Sequence, residues 1–233
     1  MKIANILLTL LFLLGLTNCV RMNSQIPKDF IETNLGEIKL DRTYSQNKFG
    51  VKINNGKLEV EEVKESNKCE FPVSNGKLVG TDKGEWGGQL SFIPTDTTKR
   101  TLEIKEGNIK FIFSFKNKLY FIEGLFHGNF NEGALYEIHR FNNSFVYKKI
   151  FHFDDAPEAF KIYQDKLLIA THGKFYSIVN LRRVLIYKNI YWNGLYPNSI
   201  AVFDDKNVFI GMNNGIAKLD LVEKNLKFYK RKE

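Results

Sequence analysis

Ser199 to Asp220, SIAVFDDKNVFIGMNNGIAKLD, is the stretch on which the reading of the chain turns. Ser199 to Phe203 is a short apolar run with β-branched and aromatic residues, followed by the polar break Asp204 to Asn207. Val208-Phe209-Ile210 is a second apolar run. Asn213-Asn214-Gly215 then offers residues that tolerate positive φ, as a tight hairpin requires. Ile216, Leu219 and Leu221 begin another extended run, and Leu226 to Lys230 offers a fourth. The spacing predicts antiparallel strands joined by tight turns.

The unit recurs upstream. Asn207-Val208-Phe209-Ile210 aligns with Lys166-Leu167-Leu168-Ile169, Lys118-Leu119-Tyr120-Phe121 and Lys77-Leu78-Val79-Gly80, at offsets of 41, 48 and 41 residues. The glycine opening the next strand recurs at Gly88, Gly133, Gly173 and Gly215, at offsets of 45, 40 and 42. Two independent markers thus keep one period. Four strands in roughly 40–50 residues is the period of a propeller blade. From about Cys69 to Glu233 the four copies resemble blades of extracytoplasmic sensor and quinoprotein-like propellers. The resemblance implies an all-β propeller of four-stranded antiparallel blades. It implies no particular activity, because this fold carries many.

Around this repeat the rest of the chain falls into place. Met1 to Asn18 has one charge, Lys2, before a run from Ile3 to Leu16 that is nearly all apolar. That length suits a signal peptide and is short for a membrane span. Leu16-Thr17-Asn18-Cys19 resembles the lipobox of bacterial lipoproteins, which implies lipidation at Cys19; Asn18 departs from the small residue usual there. The expected organisation is a signal peptide over 1–18, a tether over 19–28 and one domain over 29–233. The alternative is an ordinary cleaved signal. If Cys19 carries lipid, Cys69 is expected to be a buried unpaired thiol; the alternative is a Cys19–Cys69 disulfide in an oxidising compartment. Asn54-Asn55-Gly56, between Phe49 to Ile53 and Leu58 to Val63, reads as a hairpin in a divergent first blade, so five blades are expected. Ring closure would hide open sheet edges, so an N-terminal strand is expected to pair with the C-terminal one.

In such a ring the loops between second and third strands share a face with the loops between blades. The candidate binding residues on that face are Glu85, Trp86, His127, Asn129, Glu132, Asp154, His172, Trp192, Tyr196 and Asn213. Aromatic and amide side chains together suit a protein or glycan partner. The competing reading makes the Asn and Gly residues turn formers and the two tryptophans plugs between blades. His139 and His152 alternate with apolar residues and read as half-buried packing. Asp154-Asp155-Ala156-Pro157 reads as a turn.

No GxGxxG, P-loop or GxSxG motif occurs, and no HxH or HExxH pairing suggests a metal. No cofactor, metal or catalytic residue is therefore expected. The chain carries 34 Lys+Arg against 26 Asp+Glu. The plainest reading of this excess is a solvated, Lys-rich surface; if it serves binding in an exported protein, it points to anionic lipid headgroups or an acidic partner rather than nucleic acid. The expectation is a monomeric, exported, lipid-anchored binding or scaffold module, periplasmic or outer-membrane-associated. It would meet the membrane through Cys19. The alternative is a propeller-type hydrolase or lyase using Glu85, Asp154 and His127 or His172 around a central funnel.

Overall fold

The computed structural model describes residues 24–35, 47–64, 66–189 and 194–232. Cys19, Trp192 and the segment around Ile38-Lys39-Leu40 lie outside them. The described chain is all β. It opens with β1 (Phe30–Thr33) and the hairpin β2 (Phe49–Asn54) and β3 (Lys57–Glu62). Next come β4 (Lys68–Val73), β5 (Gly76–Asp82), β6 (Gly88–Pro94) and β7 (Leu102–Glu106). The third group is β8 (Ile109–Phe115), β9 (Lys118–His127), β10 (Phe130–Phe141) and β11 (Ser144–Phe153). The fourth is β12 (Pro157–Tyr163), β13 (Lys166–Thr171), β14 (Lys174–Val179) and β15 (Arg182–Lys188). The last is β16 (Ser199–Asp204), β17 (Asn207–Met212), β18 (Gly215–Asp220) and β19 (Asn225–Arg231).

Each of these last four groups is a four-stranded antiparallel meander, so the repeat marks sheets. The aligned apolar runs are the second strands, β5, β9, β13 and β17. In β9, β13 and β17 they are buried on both faces, which is why they read as unbroken apolar runs. Alternate residues feed opposite neighbours. Phe121 packs with Leu78, Leu90 and Ile109 between the β4–β7 and β8–β11 sheets. Its neighbour Ile122 packs with Phe153, Leu167 and Ile169 between β8–β11 and β12–β15. Leu168 turns the other way, towards Phe175, Val208 and Ile210. Phe209 packs with Phe49, Val51 and Leu58 of the β2–β3 hairpin. Burying each such side chain contributes about 1.5–3 kcal/mol.

Four apolar seams thus join five sheets side by side. Among the described residues no apolar cluster joins the hairpin to the β4–β7 sheet. The outward face of the hairpin is polar: Lys52 pairs with Glu61 (2.8 Å) and Asn54 donates to Glu59 (2.7 Å). On β4–β7, Glu70 pairs with Lys68 (2.6 Å) and Lys77 (2.7 Å). Ion pairs add to the apolar seams elsewhere. Lys110 of β8, mostly buried, reaches Asp82 (2.8 Å) in one neighbouring sheet and Glu158 (3.1 Å) in the other. Burial works against its charge, but the two carboxylates outweigh it and raise its pKa.

An N-terminal strand does join the C-terminal one. β1 pairs with β19 in the register Phe30↔Arg231 to Thr33↔Phe228. It adds a fifth strand, because β19 already completes the four of that sheet. The expected first blade is a two-stranded hairpin in the described residues, turned at Asn55 (φ 48°) and Gly56 (φ 73°). The recurring glycines, which open β6 and β18 but lie inside β10, serve a different purpose from the one expected at Asn213-Asn214-Gly215. There Asn214 alone takes the left-handed conformation (φ 66°). A Cβ at Gly215 would collide with the Tyr229 carbonyl oxygen, one at Gly88 with that of Thr81, and one at Gly133 with that of Glu123. The recurring glycine marks close approach of the adjoining strand's backbone.

Candidate functional site

In each meander the turns between second and third strands lie at the end where one sheet hands over to the next. Residues from several sheets therefore share one rim. On β4–β7 the turn is a short 3-10 segment, Gly84–Trp86. Buried Asn108 fastens it, accepting from the Lys83 amide (3.1 Å) and donating to the Gly84 carbonyl (2.8 Å). Asp82 accepts from the Gly84 amide (3.0 Å). Held this way, Trp86 stands out with 82% of its surface exposed, so it plugs no gap between sheets. At the neighbouring β9–β10 tip Phe130 is 63% exposed. Glu85 and His127 join the two tips at 2.9 Å.

Phe126, one residue before His127, faces inward. Its ring stacks on His172 at 3.7 Å between centroids and 16° between planes, while Tyr196 meets His172 edge-on at 5.1 Å. His172 is only 2% exposed. Burial pushes its pKa below the ordinary histidine value, and Asp155 pulls weakly the other way. Asp155, also buried, fastens the turn that carries His172. It accepts from Thr171 Oγ1 (2.8 Å) and the Gly173 amide (2.7 Å). Among the described residues three buried polar atoms have no protein partner: Asp155 Oδ1, His172 Nδ1 and Asn213 Oδ1. All three belong to turns of this rim. Buried polar atoms without a protein partner suit water or a polar ligand.

Between the β4–β7 and β8–β11 sheets the rim opens into a cleft of about 290 Å³, lined by Glu85, Asn108, Glu123, Glu132, Lys149 and His152. Glu123 is bound to Lys105 and accepts from the Tyr136 hydroxyl at 3.4 Å. Burial, with Glu123 next to it, pushes the Tyr136 phenol up to about 12. Glu132 lies 3.9 Å from His152.

Most of the residues expected at a shared site do lie on this rim, in three groups. Glu85, Trp86 and His127 form one; Glu132 lines the cleft; His172 and Tyr196 form the aromatic stack. Asn129 lies in the exposed β9–β10 turn, and Asn213 is buried, its amide donating to the Leu195 carbonyl at 2.6 Å. Asp154 points outward to Lys174 (2.7 Å), which holds its carboxyl below the usual carboxylate range. Of the residues named for a hydrolase or lyase, Glu85 meets His127, whereas Asp154 pairs with Lys174 and His172 stacks on Phe126. Among the described residues no three His, Cys, Asp or Glu side chains converge on a metal site. His139 and His152 are exposed rather than half-buried, because the β10 end and the outer strand β11 face solvent. Cys69 is half-buried, its thiol pushed up to about 11 by burial.

Sequence reasoning missed Phe126, Phe130, Asn108 and Glu123 and read Asp155 only as part of a turn. Phe126 and Phe130 lie at the paired ends of β9 and β10, so the stretch from Gly124 to Gly133, whose glycines and polar residues read as a long turn, is strand except at Gly128-Asn129.

No protein-family model matches the chain, and no curated protein matches it. Among solved structures, the computationally designed Ika8 protein aligns at 11% identity over 78% of this chain and 71% of its own, with a TM-score of 0.34. The N-terminal domain of Nup159 aligns at 11% identity over 75% of this chain and 58% of its own, with a TM-score of 0.28. At such scores neither likeness carries an argument about fold or function.

Proposed function

We propose that the chain is a five-bladed β-propeller, exported and lipid-anchored at Cys19, that binds a protein or glycan partner in the bacterial envelope. The β2–β3 hairpin would be the fifth blade, and β1 on β19 would tie the two ends of the ring together. The observation that carries the binding role is the pair of exposed aromatics. Trp86 and Phe130 stand on neighbouring tips joined by the Glu85–His127 contact, beside a cleft lined by three glutamates. A rigid turn that holds a large aromatic in water has no packing reason for it, and such residues anchor interfaces at low entropic cost.

The test is affinity capture from solubilised membranes of the source bacterium with wild-type protein and with Trp86→Ala/Phe130→Ala. A partner held by the wild type and lost at least tenfold from the double variant, at unchanged thermal midpoint, supports the rim as the working surface. Equal capture by both removes it. Mass spectrometry of the mature N-terminus tests the anchor separately, and an unmodified Cys19 ends that part of the proposal.

A further inference from the structure

At the end of the molecule opposite the rim, two tight turns carry residues that their backbone disfavours. The β8–β9 turn holds Lys116 (φ 49°) and Asn117 (φ 59°), and the β14–β15 turn holds Asn180 (φ 47°) and Leu181 (φ 57°). Two consecutive left-handed residues match the twist of the flanking strands, and such turns favour Asn and Gly. The β2–β3 turn obeys this with Asn55-Gly56. Lysine and leucine are strained in that conformation. Leu181 is also 53% exposed, so burial offsets little of its strain. Strained backbone positions of this kind gather at ligand clamps.

Lys116 and Leu181 come from different sheets, yet both line one cavity. It lies in the seam between the β8–β11 and β12–β15 sheets and measures about 290 Å³. Its depth is formed by the buried side chains of Leu135, Leu167 and Ile178, with Tyr120 beside them. Lys116, Lys118 and Leu181 stand exposed at its mouth. The Lys116 ammonium donates to Asn180 Oδ1 (3.1 Å) and lies 5.3 Å from the centre of the Phe115 ring. Lys118 meets Glu137 at 3.0 Å. The charged residues lining this cavity are these two lysines, whereas the rim cleft is lined by three glutamates.

We propose that this cavity binds a free fatty carboxylate of medium chain length, with its head on Lys116 and its chain against Leu135, Leu167 and Ile178. An apolar depth under a cationic mouth suits an amphiphile with an anionic head. Ligand pockets begin at about 300 Å³, so the volume leaves room for one chain and not for the two of a membrane lipid. Leu181 closes on the chain, and its burial there supplies the offset to backbone strain that exposure denies it in the free protein.

Calorimetric titration of the protein with decanoate tests this, with decyltrimethylammonium, of equal chain and opposite charge, as the control. Decanoate is expected to bind at a single site, about tenfold tighter than the control. Lys116→Glu should weaken decanoate about tenfold, the scale of one lost charge-assisted hydrogen bond. Leu181→Gly should weaken it too, although glycine relaxes the turn, which separates loss of the ligand contact from harm to the fold. Decanoate should also slow amide exchange at Lys116 to Lys118 and Asn180 to Arg182. No binding at about 1 mM decanoate, equal affinity for the ammonium, unchanged affinity in both variants, or slowing confined to other segments would each overturn the proposal. So would capture by phosphatidylglycerol vesicles without binding of decanoate, which would give the two lysines to a lipid surface instead.

Discussion

At the scale of single residues, burial sets both the local cost of change and the pH response. Gly215→Ala puts a methyl group against a backbone carbonyl that cannot swing aside, so a loss of about 1–3 kcal/mol is expected. The urea midpoint measures it, at unchanged slope. His172 gives the pH dependence. Its folded pKa lies below its ordinary value of 6.5, so the folded state favours the neutral ring. Its contribution is fully present above pH 6.5 and is lost as pH falls from there towards the folded pKa, because the unfolded chain takes up the proton first. Stability should therefore decline on acidification below 6.5. His172→Phe, which keeps the stack on Phe126, should flatten that decline; the same slope in both proteins would contradict the assignment. His172 was legible as a rim residue from its place after β13. Its burial was not, because Phe126 and Tyr196, which cover it, come from distant points of the chain.

Among elements, the hairpin turns were the best-signalled features, and one of them works against its own sequence. Asn180 and Leu181 both take left-handed φ, 47° and 57°, as a two-residue turn matching strand twist requires. Asn tolerates this and leucine does not. Leu181→Gly restores the favoured Asn-Gly pair, so a gain of about 1 kcal/mol in unfolding free energy is expected, read from the denaturant midpoint. A loss would mean that the exposed leucine makes a contact worth more than its strain. The second strands were legible from their unbroken apolar runs. β1 was not, since Phe30-Ile31-Glu32-Thr33 is short and its partner β19 lies nearly the whole chain away.

For the whole molecule the fifth seam decides between a ring and an open row. Five sheets in an open row, at about 10 Å per seam, would hold the hairpin and the β4–β7 sheet roughly 40 Å apart. A closed ring brings them together. A short amine-reactive cross-linker should join Lys52 to Lys68 or Lys77 if the ring closes, as mass spectrometry of the digest would show. Absence of both links, while links across other seams form, would leave the row open. With Lys52, Glu61, Glu70 and Lys77 on the two faces, closure would rest on polar contacts. The hairpin is then expected to exchange its amides faster than β9, β13 or β17.

The amino-acid sequence by itself determined the all-β class, the four repeated meanders from β4 to β19 and the glycines that recur at their third strands. These follow from short-range facts: side-chain alternation, turn chemistry and a period repeated four times. Only the tertiary structure decided that Phe126 lies on His172, that Asp155 rather than Asp154 is the buried carboxylate, that Trp86 stands in water, and that β1 covers β19. Each of these depends on which surfaces meet across sheets distant in sequence. A local pattern can say that a residue is apolar or charged. Which neighbour removes it from water is set by how the sheets pack.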